Sequence, residues 1–276
     1  MVSISKMKHL SSGECADIYE IDNETVLKLG KVGWERNMLY QEYINGKIVN
    51  DCKIPAPKVY DFIEMEGRYG YTMEKLKNTT LLDMFWKHPF KIISYAKKMA
   101  TIQANIHSIK VSNGLPSLVD KYQDFIKHKS GIDESVKSLI FEDIKKLYNT
   151  SSHCICHGDF HPINIMVNQD KYFVIDWVLA TIGPSESDVA GTYLITKFYS
   201  SNSRKGNIFK RFISAIGGKI IASVYLKEYI SITGMEKKEI MKWIPIRAAT
   251  YIDVGLSPYL EKKFKQIINK KYHLYK

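Results

Sequence analysis

Apolar and polar residues alternate over much of residues 1–75, and this alternation predicts a small β-sheet. The segments "CADIYEID", "NETVLKLG" and "IPAPKVYDFIEMEGRYGYTMEKL" contain strand-like runs bounded by turn residues. Between them, "WERNMLYQEYINGKIVND" repeats its apolar residues at helical spacing, at Met38, Leu39, Tyr43, Ile44 and Ile48. Residues 1–75 are therefore predicted to form an N-terminal lobe of β-strands with one helix.

Beyond residue 78 the hydrophobic pattern becomes helical. Thr80 stands three residues before Asp83, which is a capping-box spacing, and "FKIISYAKKMATIQANIHSIK" has apolar residues at i, i+3, i+4 and i+7. One or two further helices are expected in 117–149, and the chain after Gly183 is predicted to be helical almost to its end. The fold class is therefore α+β, with a larger, mainly helical lobe at 76–276 and a hinge and cleft near 74–78.

A short stretch that is rich in chemistry, "SSHCICHGDFHPINIM", interrupts the helices. Its cysteines and histidines first suggest zinc, but a structural zinc site needs four ligands, often from two separated pairs. Cys154 and Cys156 would share one face of a strand, and the sequence shows no second ligand pair. A zinc site is therefore disfavoured, and both cysteines are expected to pack as small buried hydrophobes.

The carboxylate and amide side chains of the same region suggest a different metal. Asn164 follows Asp159 by five residues, and Asp176 comes after the apolar run "YFVI". A short β-hairpin between Asn164 and Asp176 would bring these two residues to the same end. Hard oxygen ligands of this kind suit Mg²⁺, which takes its remaining ligands from water and from the phosphates of a nucleotide.

Composition and charge narrow the class of protein. The chain has 276 residues, of which 45% are hydrophobic and 25% charged, as in soluble enzymes. It has no apolar run long enough for a membrane span and no signal-peptide core at its start, so a cytoplasmic location and no membrane partner are expected. The net charge of +11 comes mainly from dispersed lysines, which favours a solvated surface over nucleic-acid binding. A nucleic-acid-binding protein would instead show salt-dependent binding and no affinity for ATP.

The stretch "HGDFHPINIMV" followed by "YFVIDW" resembles the catalytic loop and metal-binding aspartate of the aminoglycoside phosphotransferase and choline kinase-like family. These enzymes are small-molecule relatives of the protein kinases. The kinase spacing His-x-Asp-x₄-Asn is present as His157, Asp159 and Asn164, and Asp176 stands where protein kinases have the aspartate of Asp-Phe-Gly. The resemblance implies a bilobal protein-kinase-like fold.

The resemblance extends to the first lobe and implies a nucleotide site there. "SSGECADIYEIDNETVLKLG" is similar to the nucleotide loop, with Gly13, and to the strand that carries the nucleotide lysine, here Lys28. Glu42 is expected to pair with Lys28, although an exposed helical glutamate is the alternative and Glu35 lies two turns earlier. The hinge residues implied to hold the adenine are Met73, Glu74 and Leu76.

The family also implies roles for the residues of the second lobe. Asp159 would act as the catalytic carboxylate, and Asn164 and Asp176 would hold Mg²⁺ with ATP or GTP as the phosphoryl donor. His157, His161 and Asp188 are expected to be structural, Asp188 either in a capping box with Ser185 or as a brace for the loop backbone. Asp253, in the aromatic stretch "YIDVGLSPY", is the candidate substrate residue.

The acceptor is expected to be a small-molecule alcohol. The chain passes from "IDWVLATIGPSESD" directly into helices, which leaves no room for a peptide-docking segment. An aminoglycoside-type antibiotic is one candidate, with antibiotic resistance as the corresponding role, and choline, ethanolamine or a sugar is the alternative. An inactive kinase-like binding module is disfavoured because Lys28, Asp159, Asn164 and Asp176 are all present. The protein is expected to be a monomer or a homodimer.

Overall fold

The computed structural model describes residues 3–13, 15–77, 79–109, 114–202 and 208–272. The described chain divides into two compact units, the first comprising Met1–Met84 with Ile163–Ala180 and the second Phe85–Pro162 with Thr181–Lys276. Asn78, the last residue of the expected hinge, lies outside the described residues. The lobe boundary predicted at residues 75 and 76 stays a prediction.

The first unit is built on an antiparallel sheet that, within the described residues, has five strands in the order β1-β2-β3-β5-β4. The strands are β1 (Lys8–Ser12), β2 (Ala16–Glu20), β3 (Thr25–Gly30), β4 (Val59–Met65) and β5 (Arg68–Glu74), and helix α1 (Arg36–Asp51) lies between β3 and β4 in the chain. The predicted sheet with one helix is confirmed. Strand β1 was not predicted, since "KHLSS" is exposed at four of its five positions and shows no alternation.

A second, smaller sheet of the first unit comes from far along the chain. Strands β7 (Ile165–Asn168) and β8 (Lys171–Val174) pair as an antiparallel hairpin. The backbone N–H of Val174 donates to the carbonyl of Pro55 at 2.8 Å, and that of Val167 donates to the carbonyl of Thr79 at 2.8 Å. The expected hairpin before Asp176 is thus present, and it is bonded to segments that precede it by about a hundred residues.

The second unit is mainly helical, as predicted. Helix α2 (Leu81–Lys87) runs into it from the first unit, and its other helices are α3 (Ile92–His107), α4 (Leu118–Lys127), α5 (Glu134–Thr150), α6 (Ser185–Asn202), α7 (Ile208–Thr233), α8 (Lys237–Thr250) and α9 (Pro258–Tyr272). Its core contains fully buried side chains from several of these helices, among them Leu118, Ile140, Trp243 and Phe264. Of the helices in the described chain, none is long and apolar enough to cross a membrane.

A two-stranded sheet holds both ends of the segment that contains His157, Asp159, Asn164 and Asp176. Strand β6 (His153–Cys156) pairs antiparallel with β9 (Thr181–Pro184), so the chain leaves this sheet at Cys156 and returns to it at Thr181. Strand β9 was not predicted, because Gly183 and Pro184 are typical of turns. Glycine is needed at position 183 because a Cβ there would lie 2.6 Å from the Cβ of Leu118.

The capping box that begins helix α2 is confirmed. The backbone N–H of Thr80 donates to Oδ2 of Asp83 at 2.8 Å, and the N–H of Asp83 donates to Oγ1 of Thr80 at 3.2 Å. These two bonds satisfy N–H groups that a helix start otherwise leaves without partners.

We expect Thr80→Ala to lower the free energy of unfolding by about 1 kcal/mol, because the helix start loses its hydroxyl acceptor. Urea denaturation followed by circular dichroism measures this change. Thr101→Ala is the matched control, because Thr101 lies within α3 and its hydroxyl donates only to the carbonyl of Lys97. The control is expected to change stability by less than about 0.5 kcal/mol. Equal losses in the two variants would contradict the capping interpretation.

Candidate active site

Lys28 lies on the central strand β3 of the first unit and forms an ion pair with Glu42. Its neighbours Leu27 and Leu29 are fully buried, and the lysine ammonium donates to Oε1 of Glu42 at 2.5 Å. Helix α1 turns Glu42 inward with Leu39 and Val49, so its side chain is only 6% exposed. Glu42, the expected partner, is therefore the glutamate that contacts Lys28. Glu35, the other glutamate considered, lies at the N-cap of α1.

Asp176 is the second acid beside Lys28. Its Oδ1 lies 3.6 Å from the lysine Nζ, and its side chain is 42% exposed. Its backbone is left-handed, with φ of 67°, a conformation that costs energy for a residue other than glycine. Burial alone would lower the pKa of Lys28, but the charges of Glu42 and Asp176 outweigh it and hold that pKa well above its ordinary value. Lys28 is consequently a permanent cation.

The chain around Asp176 is fixed on both sides. The backbone N–H of Ile175 donates to the carbonyl of Asn164 at 3.0 Å, so Asn164 and Asp176 are brought together as the sequence suggested. On the other side, Nδ2 of the fully buried Asn45 donates to the carbonyl of Trp177 at 2.8 Å. The sequence gives no sign of this role for Asn45, because a single asparagine on a helix does not indicate which group it will bond.

The residues of this cluster fit a magnesium ion. The backbone bond described above joins Asn164 to the residue before Asp176, and the two side chains offer an amide and a carboxylate oxygen. Hard oxygen donors in small number are what Mg²⁺ takes from a protein when a nucleotide supplies the rest.

The expected adenine contacts lie at the end of β5. The backbone N–H of Glu74 donates to the carbonyl of Lys58 at 2.8 Å, and that of Lys75 donates to Glu24 at 2.7 Å. The N–H of Leu76 has no partner among the residues that the structure describes. Met73 pairs within the sheet, and Gly13 closes the β1–β2 turn through its N–H, which donates to Ala16 at 2.8 Å.

In the second unit, Asp188 holds the backbone of the loop that contains Asp159. Oδ1 of Asp188 accepts from the N–H of Gly158 at 2.8 Å, and Oδ2 accepts from the N–H of His157 at 3.0 Å. Of the two expectations for Asp188, a capping box with Ser185 or a brace for the loop, the structure therefore supports the brace. Gly158 has φ of 84°, a conformation that favours glycine.

Two side chains of helix α3 complete the surroundings of Asp188. Nε2 of Gln103 donates to Oδ2 at 2.9 Å, and Nε2 of His107 lies 3.1 Å from the same oxygen. Burial alone would raise the pKa of Asp188, but the hydrogen bond and charge of His107 and the charge of Arg247 hold that pKa far below its ordinary value. Asp188 is therefore a buried anion. Neither Gln103 nor His107 was identified from the sequence, because their partner lies about 80 residues away.

The carboxylate of Asp159 is about one-third exposed and lies beside His161. Nε2 of His161 is 3.3 Å from Oδ2 of Asp159, whose side chain is 32% exposed. The N–H of Asp159 donates to Nδ1 of the buried His157 at 3.2 Å. Burial would raise the pKa of Asp159, but the hydrogen bond and charge of His161 and the charge of Arg247 lower it below its ordinary value. Asp159 is ionised at neutral pH and can accept a hydrogen bond from a hydroxyl.

The two cysteines are buried, as expected. Cys154 and Cys156 form with His107 a group whose ligand atoms lie within 4.8 Å of one another, so the structure adds a third donor that the sequence did not reveal. Both nitrogens of His107 are already engaged, however, by Asp188 and by the hydroxyl of Tyr229 at 2.6 Å. Burial raises the pKa of the Cys156 thiol well above its ordinary value, whereas the hydrogen bond with Cys156 and the charge of His107 lower the pKa of Cys154. These contacts agree with packing rather than metal binding.

Asp253 makes a structural contact of its own. Its Oδ2 accepts from the N–H of Gly131 at 2.9 Å and from the hydroxyl of Ser130 at 3.1 Å, and so it holds the segment before α5. Its assignment to the substrate stays a prediction.

We expect Asp188→Asn to lower the free energy of unfolding at pH 7 by about 3–5 kcal/mol, because a buried anion with several donors is lost. The folded pKa of Asp188 is depressed, so its contribution is present above the unfolded pKa of about 3.9 and is lost as the pH falls toward the folded value. The difference between wild type and variant should therefore shrink below pH 4 in urea titrations. Asp124→Asn, at a side chain that is 72% exposed, is the control and should show neither effect. A difference independent of pH would contradict the assignment.

The fold is shared with solved phosphotransferase structures. Aminoglycoside-3'-phosphotransferase of type VIII matches with a TM-score of 0.64 at 13% identity, over 89% of this chain and 94% of the other. Aminoglycoside phosphotransferase APH(4)-Ia, in ternary complex with AMP-PNP and hygromycin B, matches with a TM-score of 0.65 at 12% identity, over 97% and 94%. An ethanolamine kinase of Plasmodium vivax matches with a TM-score of 0.59 at 14% identity, over 98% and 82%. The expected α+β, kinase-like fold is confirmed.

The family of this chain is shown by a comparison of its sequence with family models. A comparison with curated proteins gave no match. The model of the phosphotransferase enzyme family, in contrast, matches residues 6–208, a span that contains Lys28, Glu42, Asp159, Asn164 and Asp176. The chain belongs to the phosphotransferase enzyme family.

Proposed function

We propose that the protein is a small-molecule kinase, which transfers the γ-phosphoryl group of ATP or GTP to a hydroxyl group with the help of Mg²⁺. The observation that carries this proposal is the cluster of Lys28, Glu42 and Asp176. A purely structural ion pair needs one acid, and Glu42 already supplies it at 2.5 Å. The second acid, Asp176, is 42% exposed and has a left-handed backbone. A half-exposed anion held in a costly conformation beside a largely buried cation is typical of a functional site.

The charges of this cluster suit a metal–nucleotide complex. Lys28 offers a cation to phosphate oxygens, while Asp176, with the amide of Asn164, offers oxygens to a divalent cation. Solved structures of this fold contain nucleotides, such as AMP-PNP in APH(4)-Ia and GDP in aminoglycoside 2'-phosphotransferase-IIIa. The N–H of Leu76 is a suitable donor for the base, since no described residue occupies it.

Asp159 has the properties of the residue that directs the acceptor hydroxyl. Its carboxylate is ionised and partly exposed, so it can accept the hydroxyl proton in a hydrogen bond and point the oxygen at phosphorus. Its lowered pKa favours orientation over early removal of the proton. Mg²⁺, when bound, would neutralise the charge that develops on the phosphate oxygens.

We propose a small-molecule alcohol as the acceptor, with alcohols that also carry an amino group as the first class to test. After Asp176 the chain forms a single 3₁₀ turn, strand β9 and then helix α6, so no peptide-docking segment intervenes. Aminoglycoside phosphotransferases and an ethanolamine kinase both share this fold, and the names of both describe acceptors that combine hydroxyl and amino groups. An aminoglycoside-type antibiotic is the first candidate, and a metabolite such as ethanolamine, choline or a sugar is the second.

We expect the purified protein with Mg²⁺ to consume ATP or GTP in the presence of one member of a panel of aminoglycosides, choline, ethanolamine, amino alcohols and sugars. Asp159→Ala should reduce this turnover by about 10²–10⁴-fold while the protein stays folded and still binds nucleotide. Asp170→Ala, at an exposed position of the β7–β8 turn, is the control with unchanged turnover. Wild-type rates in Asp159→Ala would contradict the catalytic assignment, and no consumption with any acceptor would contradict the proposed substrate class.

We expect Asp176→Ala to weaken nucleotide binding at least about tenfold when Mg²⁺ is present, because the site loses a carboxylate ligand. Binding measured in EDTA should change little, since Lys28 and the hinge remain. Isothermal titration calorimetry with and without Mg²⁺ makes this comparison, and Asp170→Ala again serves as the control. An equal loss under both conditions would show that Asp176 acts on the fold rather than on the metal.

A further inference from the structure

Arg247, on helix α8 of the second unit, is a buried cation with an unusual set of partners. It is 3% exposed, and its guanidinium donates to the carbonyl of Gly158 at 2.6 Å and to the hydroxyls of Tyr122 and Tyr251 at 2.5 and 2.8 Å. Within the described residues, no carboxylate lies within 4.0 Å of it. Burying a guanidinium is costly, and here its hydrogen bonds and the more distant charges of Asp188 and Asp159 offset that cost.

Arg247 contacts the peptide group that joins Gly158 to Asp159. The carbonyl of this peptide accepts from Arg247, and its N–H, which belongs to Asp159, donates to Nδ1 of His157 at 3.2 Å. The preceding N–H, that of Gly158, donates to Asp188 at 2.8 Å. Three side chains therefore hold the backbone next to Asp159: the carboxylate of Asp188, the imidazole of His157 and the guanidinium of Arg247. Of these, Arg247 comes from the last part of the chain.

Helix α6 provides the space that the guanidinium occupies. A Cβ at Gly191 would collide with Nη2 and Nε of Arg247, and these are the nearest atoms to that position. Glycine in a helix interior is unfavourable, so its presence here fits a need to admit the guanidinium. The rings of Tyr122 and Tyr251 lie 5.2 and 5.1 Å from the guanidinium carbon and hold it by cation–π contact.

We propose that Arg247 is a positioning residue, which fixes the Gly158–Asp159 peptide so that the carboxylate of Asp159 is aimed at the acceptor hydroxyl. This inference rests on the proposed kinase function. The family model ends at residue 208, so Arg247 lies outside the matched span. The alternative is that Arg247 only ties α8 to the loop and contributes to stability.

Two substitutions reach the same contact from opposite sides. Arg247→Met removes the donor, and Gly191→Ala displaces the guanidinium while leaving the arginine in the sequence. Both should lower kcat by about 10–100-fold, because a small displacement of a catalytic group has effects of this size, and neither should change the KM for nucleotide. The double variant should be no slower than Arg247→Met alone, because both changes act on one contact. Arg247→Lys, which keeps the charge without the planar fork, should recover only part of the rate.

Arg68→Met is the matched control. The guanidinium of Arg68 also donates to a glycine carbonyl, that of Gly30 at 2.6 Å. Arg68 lies in the first unit, where it forms an ion pair with Asp17. This variant should lower the melting temperature and leave kcat unchanged. Wild-type kcat in Arg247→Met and Gly191→Ala, with only the melting temperature lowered, would overturn the positioning role.

Hydrogen exchange separates this inference from the proposed function. If the wild type transfers phosphate to no acceptor, the kinase assignment has failed, but the loop contact can still be measured. Arg247→Met should then accelerate exchange at the amides of residues 157–159 more than elsewhere, relative to Arg68→Met. Unchanged exchange at these amides would overturn the claim that Arg247 holds the loop.

Discussion

The buried carboxylate of Asp188 is the contact on which the geometry of the second unit depends. It accepts from two successive backbone amides, of His157 and Gly158, and from Gln103 and His107 on helix α3. A carboxylate at 1% exposure is stable only when its lone pairs are filled, and here the loop supplies half of the donors. Asp188, on α6, therefore links α3 to the conformation of the loop before Asp159.

Local sequence patterns were sufficient for the parts of the site that local structure positions. Lys28 was assigned through the family resemblance, and its place among Val26, Leu27 and Leu29 favoured an inward-facing lysine over an edge lysine. Glu42 was less certain, because a helix offers several faces, and only the packing of α1 shows that this glutamate faces the lysine. The predicted loop and hairpin account for the closeness of Asn164 and Asp176, whereas the roles assigned to Asp159, Asn164 and Asp176 came from the resemblance of "HGDFHPINIMV" and "YFVIDW" to a known family.

The groups that support these residues could not be predicted, because their contacts cross long stretches of chain. Arg247 reaches a carbonyl 89 residues before it, and Asn45 a carbonyl 132 residues after it. Nothing in the local pattern distinguishes such residues from an ordinary helical arginine or asparagine. Strand β9 was missed for a related reason, since only its pairing with β6 makes an extended strand of "TIGP". Side chains that bond to distant backbone become visible only when tertiary structure is known.

The first unit is discontinuous along the chain, and this has a consequence for its synthesis. Residues 1–84 form the five-stranded sheet, but the hairpin β7–β8 and Asp176 join the same unit only from 163–180. A ribosome must therefore release more than half of the chain before this unit can be completed. Until then the backbone groups of Pro55 and Thr79 lack their partners on the hairpin. A fragment that ends at residue 84 would lack Asn164 and Asp176, so it could not reproduce the cluster around Lys28.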